Sequence, residues 1–518
     1  MKYRIISPLR INQIKYRFKI NLTYFALLFS VSFFAQQEKP NVLFIAIDDI
    51  NDWVAPLGGN KQAITPNMDR FVDNGAVIFK NNVCAAPVCG PSRSAILSGF
   101  YPSTSGIYNN GQNLIYSDVV KANATLPEYF SKNGYHTMAN GKIFHKHATA
   151  NGVDFGAWAF DEFARARRYN KDAAKKKFYT ASKAGVIHGE HNPGFIDKKS
   201  KLSWGPTKDA FEETVDYKVA DWARTQLSKD FDKPFFMAVG FIKPHLPWFV
   251  PQEYFDMYDV DAIEDIITKE DDLEDIVKPN GKPLFKPTGE YNWIRKHNLG
   301  KEATRAYLAN ISYVDACLGI VMDALEKSGH ADDTIVVLWG DHGWHLGEKL
   351  RYLKSTLWLE VVKTPLFVKL PEMDQAVYCE KTVSLLDLYP TLVNLCNLPK
   401  KANIEGHDFS ALLKNVDSDW ERPGITVSNE GTSVLTEKWH YINYVSGAEE
   451  FYDVTNDSME WNNLIHESEY RQEIKKLKKW IPKKRVAPKK ERYKKPSNYV
   501  DADQDTTIKK TRDFNKLE

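Results

Sequence analysis

Two acid-bearing pairs and one cysteine have the residue types and spacing to do chemistry. Asp48-Asp49 and Asp341-His342 each follow a short apolar run directly. Carboxylates at the end of a buried segment are unfavourable unless a cation or hydrogen bonds compensate them. Oxygen-rich sets suit Ca²⁺ or Mg²⁺, while His342 leaves Zn²⁺ open. Pairs of this kind also cap helices and begin turns. The cysteine lies in Cys89-Gly90-Pro91-Ser92-Arg93, followed by Ser94-Ala95-Ile96-Leu97-Ser98-Gly99. Pro91 suits the first turn of a helix. That puts Cys89 at a helix N-terminus, where free N–H groups favour an anion. Such a cysteine could be a nucleophilic thiolate, or simply a buried cysteine beside a cap.

The elements that must position these residues are legible. Residues 41–47 (NVLFIAI), 234–241 (PFFMAVGF) and 334–339 (TIVVLW) read as strands buried on both faces. Near-continuous apolar strands are what a parallel sheet covered by helices requires. Ligands in such sheets sit beyond the carboxyl ends of the strands, so Asp48-Asp49, Lys243-Pro244-His245 and Asp341-His342 are expected to share one site. Residues 303–327 place Tyr307, Ile311, Val314, Leu318, Val321 and Leu325 on one stripe, a core-facing helix. Residues 125–133 and 382–398 read as further helices, the first with Thr125 as N-cap and Pro127 in its opening turn. The fold class expected is α/β, a large mostly parallel sheet sandwiched by helices. From Cys396 the pattern changes to short strands such as 439–445, then a helix near 468–480, a smaller C-terminal α+β subdomain.

The chain of 518 residues, 43% hydrophobic and 26% charged, is of ordinary globular composition. Its net charge of +2 argues for no nucleic-acid partner. A basic leader with Lys2, Arg4, Arg10, Lys15, Arg17 and Lys19 precedes the apolar residues 22–34, and Gln36-Gln37-Glu38-Lys39 follows. This reads as a secretory signal over residues 1–35, too short for stable membrane insertion. The catalytic domain is then placed at 36–395, the C-terminal subdomain at 396–480 and a basic, flexible tail at 481–518. Residues 146–210 carry Arg165, Arg167, Arg168 and Lys175, Lys176 and Lys177, an inserted basic loop region. Five cysteines are too few for a disulfide scaffold in a chain this long. Their odd number leaves at least one unpaired in an exported protein, and Cys89 gives that one a reason. Cys84 is expected to be buried or disulfide-bonded.

Cys89-x-Pro91-Ser92-Arg93 with Leu97-Ser98-Gly99 resembles the signature of the type I, formylglycine-dependent sulfatases of the alkaline phosphatase superfamily. Ser98 stands where that family usually has Thr. The likeness runs from Asn41 to about Trp480 and is nearest to the iduronate-2-sulfatase-like branch. Its support is Leu126-Pro127-Glu128-Tyr129-Phe130, Asn133-Gly134-Tyr135, Gly141-Lys142-Ile143-Phe144-His145, Gly240-Phe241-Ile242-Lys243-Pro244-His245, Asp341-His342-Gly343-Trp344 and Gly347-Glu348. The resemblance implies that Cys89 is oxidised to formylglycine by a formylglycine-generating or anaerobic sulfatase-maturating enzyme. It implies one Ca²⁺, with Mg²⁺ the lesser alternative, held by Asp48, Asp49, Asp341, His342 and modified Cys89. His342 replaces the Asn of many sulfatases. Lys354 falls at the branch's second active-site lysine, although the surrounding Leu350-Arg351-Tyr352-Leu353 departs from the branch.

The implied chemistry is coherent. A cation-acidified hydroxyl of the hydrated aldehyde attacks sulfur. Arg93 and Lys142 offset charge on the sulfate. His245 or Lys354 protonates the departing oxygen, and His145 deprotonates the second hydroxyl to expel sulfate. Lys243, Trp344 and His345 are expected to line the substrate pocket. The substrate implied is a sulfated sugar or polysaccharide, which the basic 146–210 region would attract. The location expected is periplasmic in a bacterium, otherwise extracellular or lumenal. Two rival readings share the motifs, a phosphate or phosphonate ester hydrolase and a non-catalytic binder of sulfated glycans.

Overall fold

A computed structural model describes residues 39–145, 148–149, 152–153, 156–164, 202–490 and 508–509. The leader over 1–35, the basic residues Arg165 to Lys177 and most of the 491–518 tail lie outside the described residues. Asn41–Asp48 is the middle of a nine-stranded sheet and is buried at every position. It runs parallel to Thr334–Gly340 on one side and to Phe235–Pro244 on the other. His136–Gly141 and Glu162–Ala164 continue the parallel arrangement outward, ending at an antiparallel strand Ile508–Lys509. On the other flank, Leu366–Lys369 is antiparallel to both of its neighbours, Thr334–Gly340 and Val77–Val83, and Val377–Ser384 pairs parallel with the latter. The sheet is mixed but mostly parallel.

The alternation of side chains on Asn41–Asp48 explains why it reads as continuously apolar. Leu43, Ile45 and Ile47 enter one core cluster and Val42, Phe44 and Ala46 the other. Helices Val215–Leu227 and Gly300–Lys327 supply the first cluster. Gly300–Lys327 is long and apolar enough to cross a membrane, but it is mostly buried inside the protein. Leu126–Lys132 and Leu388–Leu395 supply the second. Glu128 accepts a hydrogen bond from the Thr125 N–H at 2.9 Å, the capping arrangement expected there.

Three expectations change. Residues 382–398 are not one helix: Thr382, Val383 and Ser384 finish a strand paired with Asn81, Asn82 and Val83, and the helix begins only at Leu388. β-Branched residues beside an open strand edge pair with it rather than wind. The segment after Cys396 still belongs to the main core through Phe409 and Leu412. The C-terminal antiparallel sheet is Gly424–Val427, Gly431–Leu435, Trp439–Tyr444 and Glu449–Asp453, backed by Arg471–Lys478. Finally, residues 481–490 are a strap rather than a loose tail. Val486 N–H donates to Ser103 O at 2.7 Å, Lys489 N–H to Gly106 O at 3.0 Å, and Lys489 Nζ to Asp118 at 2.7 Å.

The parallel strands come together most tightly at the end that bears the acids. Gly141 has φ +83°, and a Cβ there would lie 2.0 Å from Gly240 O; one on Gly240 would lie 2.4 Å from the Lys142 carbonyl. Only glycine permits this approach. Gly240→Ala is expected to push the Lys142 backbone away and to destabilise the protein by about 1–3 kcal/mol, read as a lower urea midpoint.

Candidate functional site

The strand Asn41–Asp48 delivers Asp48 and Asp49 through a register shift against Phe235–Pro244. Asp49 then turns with φ +63°, a conformation few side chains adopt freely. It is held by three bonds. Its N–H donates to Asp341 Oδ1 at 3.0 Å, its carbonyl accepts from Tyr307 Oη at 2.7 Å, and Asn51 N–H donates to that same hydroxyl at 3.0 Å. Cys89 opens the buried helix Cys89–Ser98, which closes on Gly99 in the left-handed region. Gly90 N–H donates to Asn110 Oδ1 at 2.7 Å, and Ser92 Oγ donates to Asp341 O at 2.6 Å, so the helix start is tied to the second acid pair.

Around Cys89 Sγ lie Lys354 Nζ at 2.8 Å, His342 Nε2 at 3.4 Å and Asp49 Oδ1 at 3.5 Å. Lys354 Nζ also donates to Asp49 Oδ1 at 2.5 Å. Lys142 Nζ donates to Asp48 Oδ2. Arg93 has no exposed surface, and donates through Nε to Asp341 at 2.7 Å, through Nη2 to Asp48 at 3.2 Å and through Nη1 to the carbonyls of Lys142 and Ile143. Three buried carboxylates are thus matched by three cations. Burial pushes the Asp48 carboxyl up, but Lys142, His245, Arg93 and Lys354 together hold it well below its usual range. Asp49 is lowered in the same way, burial being outweighed chiefly by His245 and Lys354. At Asp341 burial prevails over Arg93 and the carboxyl is raised.

His245 and His342 both face this cluster with an imidazole lone pair. His245 Nδ1 lies 2.6 Å from Leu246 O and His342 Nδ1 lies 2.9 Å from Gly343 O. A carbonyl only accepts, so Nδ1 carries the proton in each ring and Nε2 is left to bind. Burial lowers the His245 pKa to about 4, against the opposing pull of Asp49. Ligand atoms of Asp48, Asp49, Cys89 and His245 gather within 4.8 Å of one another, as do those of Cys89, Asp341 and His342. Asp49 Oδ2 is buried with no hydrogen-bond partner. An orphaned carboxylate oxygen among hard donors fits a divalent cation.

Burial, with Asp48 adding to it, pushes the Cys89 thiol far above its ordinary pKa. The other four cysteines are also free and buried, Cys84 with Sγ 3.6 Å from Val361 O. No disulfide joins Cys84 to any other.

Several expected roles shift. Arg93 is committed to carboxylates and carbonyls, so it positions the acids rather than gripping a substrate. Lys243 Nζ donates to the carbonyls of Pro247 and His245, bracing the loop that carries His245. Trp344 is buried beneath Lys354, whose Nζ lies 5.2 Å from its ring centroid. His345 has no exposed surface and bonds Thr356 Oγ1 at 2.7 Å, so it lines no pocket. His145 does come to the site: a Cβ on Gly90 would lie 3.5 Å from its ring.

Lys354 arrives on a hairpin in which His345–Leu346 pairs with Tyr352–Leu353. Lys349 at its tip has φ +51° and is buried, donating to Asp272 Oδ1 at 2.8 Å and to Glu460 O. Asp216, which accepts the N–H groups of Ile242 and Lys243 at 2.9 Å each, likewise holds the His245 loop. Neither these supports nor Tyr307 carries a local sequence signal, because their partners are distant in the chain.

Residues 40–398 match the sulfatase family, and residues 340–487 match the C-terminal region of N-sulphoglucosamine sulphohydrolase. The chain belongs to the sulfatase family. A sulfatase of Formosa agariphila is 36% identical over 457 residues, 86% of this chain and 87% of that one. Mouse iduronate 2-sulfatase is 27% identical, covering 69% of each. A solved structure in complex with its substrate D-glucosamine-2-N,6-O-disulfate has a TM-score of 0.64 at 20% identity, covering 85% of this chain and 96% of that one. The fold is thus that of the sulfatases, and the chain is a sulfuric ester hydrolase whose groups around Cys89 could hold a metal ion. Arg93→Leu in this sulfatase takes the guanidinium from Asp341 and leaves Asp48 to Lys142. A loss of about 3–5 kcal/mol is expected, measured by urea unfolding, with Arg93→Lys recovering part of it.

Proposed function

We propose that the protein is an exported sulfatase that removes sulfate from a sulfated carbohydrate, with residue 89 working as formylglycine beside one divalent cation, calcium. The observation that carries the reading is the environment of Cys89: a neutral thiol at a helix start, enclosed by Asp49, His342 and Lys354. A thiolate enzyme would stabilise the charged sulfur, whereas this site raises the thiol. The sulfur therefore stands in for the oxygens of a hydrated aldehyde, installed by a maturating enzyme before the chain works.

Asp48, Asp49, Asp341, His342 and the oxygen at residue 89 would hold the cation. When bound, it would acidify a hydroxyl at residue 89. The remaining work falls to this chain's own side chains. Lys142, buried and bonded to Asp48 through one N–H, keeps others for a sulfate oxygen. Lys354 holds its proton tightly, burial being outweighed by Asp49, and is the ammonium nearest residue 89. His245 Nε2 and Lys354 Nζ both face Asp49 beside residue 89, so either is placed to protonate the departing oxygen. His145, against Gly90, is placed to take a proton from residue 89.

The carbohydrate reading rests on the similarity to a protein named iduronate 2-sulfatase and to one bound to a disulfated glucosamine. Export rests on the basic-then-apolar leader. The deciding experiment is mass spectrometry of the tryptic peptide carrying Cys89, from protein made in a host with a maturating enzyme, alongside turnover of 4-nitrophenyl sulfate. The aldehyde mass and turnover are expected together; an unmodified thiol in active protein would sink the formylglycine reading. Calcium dependence is tested separately. Dialysis against EDTA is expected to abolish turnover, and added Ca²⁺ to restore it more fully than Mg²⁺.

A further inference from the structure

Arg351 lies three residues before Lys354, and its charge is compensated unlike that of the other cations near the site. Arg93, Lys142, Lys349 and Lys354 each contact a carboxylate. Among the described residues, no carboxylate or carbonyl accepts a hydrogen bond from the Arg351 guanidinium, and its Nε is buried without a partner. The group instead lies beside an edge-to-face pair of rings, 5.0 Å from the centroid of Phe285 and 4.9 Å from that of Trp358, which are themselves 4.8 Å apart. Glu450, the acid that could have paired with it, is already taken by Tyr444, Tyr452 and Trp358. Burial lowers the Arg351 pKa and outweighs the opposing pull of Tyr444, Glu430 and Glu450.

A cation in this state is unfavourable unless something completes it. Cation–π contact with the two rings contributes modestly and satisfies none of its N–H groups. A planar fork with unused N–H groups is the arrangement that recognises a carboxylate or sulfate. The position suits such a role. Four residues beyond Arg351, Ser355 N–H donates to Pro87 O at 3.0 Å, two residues from Cys89. The turn bearing Glu430 follows Val427, whose N–H donates to Ala85 O at 3.0 Å, four residues before Cys89. Arg351 also falls within Leu350-Arg351-Tyr352-Leu353, the stretch that departs from the family pattern between matched motifs.

We propose that Arg351 is the anion-recognition point of a subsite beside the sulfate-ester site, binding a second anionic group of the same substrate, a sugar carboxylate or a further sulfate. This rests on the substrate being a sulfated carbohydrate, as proposed above. The aromatic pair packs beside the guanidinium without satisfying it, and the substrate supplies the counterion that the protein does not.

The test is calorimetric binding of two probes to the full-length protein and to Arg351→Gln. Trigalacturonate carries only carboxylates, and a carrageenan tetrasaccharide carries only sulfates. At least one is expected to bind the unaltered protein and to bind Arg351→Gln tenfold or more weakly, with Arg351→Lys intermediate. The probe that responds identifies the anion. The loss should exceed any change in KM for 4-nitrophenyl sulfate, which has a single anionic group, by fivefold or more. Equal binding to both proteins, no binding of either probe, or a parallel loss of probe binding and 4-nitrophenyl sulfate turnover would overturn the proposal. Arg351-dependent binding by a protein that cannot hydrolyse 4-nitrophenyl sulfate would instead refute the sulfatase chemistry and leave the subsite standing. Should Arg351→Gln fail to fold, Arg351→Lys carries the comparison, because it keeps the charge and loses the planar fork.

Discussion

Three carboxylates, Asp48, Asp49 and Asp341, are buried at the ends of two adjacent parallel strands, and Arg93 is the counterion that holds two of them in place. Its guanidinium has no exposed surface and spans Asp48 on one strand and Asp341 on the next. Desolvating such charges costs several kcal/mol per ion, so the arrangement stands only if every partner is present and well placed. The helix that carries Arg93 also carries Cys89 one turn earlier. Fixing the arginine to the acids therefore fixes residue 89 against them.

The same constraint explains how the supporting shell is built. Asp49 needs a left-handed backbone to turn its carboxylate inward, and Tyr307 and Asp341 hold that backbone from two directions. Lys354 must come from the far side, so a hairpin brings it over Trp344. The hairpin is anchored at its tip by Lys349, which reaches Asp272 and the carbonyl of Glu460 beyond the C-terminal sheet. That sheet is thus part of the site's geometry. Its Tyr444 and Tyr452 share the main hydrophobic core, while Glu450 receives their hydroxyls and the Trp358 N–H.

Much of this was legible in the sequence where the constraint is local. The runs ending at Asp48-Asp49, His245 and Asp341-His342 announced strands buried on both faces and a shared carboxyl-end site, because continuous apolar strands with abrupt polar ends have few other uses. Pro91 marked the start of the helix of Cys89. The helix expected across 382–398 was lost because the edge of Val77–Val83 captured residues 377–384, a pairing with no mark in the local pattern.

By itself, the sequence determined the family, the α/β sheet and the residues that gather at Cys89. These are written in short segments whose backbone and apolar periodicity are set by near neighbours. Only the tertiary structure decided how the charges are distributed among them. It turned Arg93 into a brace for acids, buried His345 and Trp344 away from solvent, recruited Asp216, Tyr307 and Lys349 as supports, and left Arg351 beside a pair of rings without an anion. The physical reason is that a side chain's role depends on which partners fill its bonding positions. Those partners stand tens to hundreds of residues away in the chain.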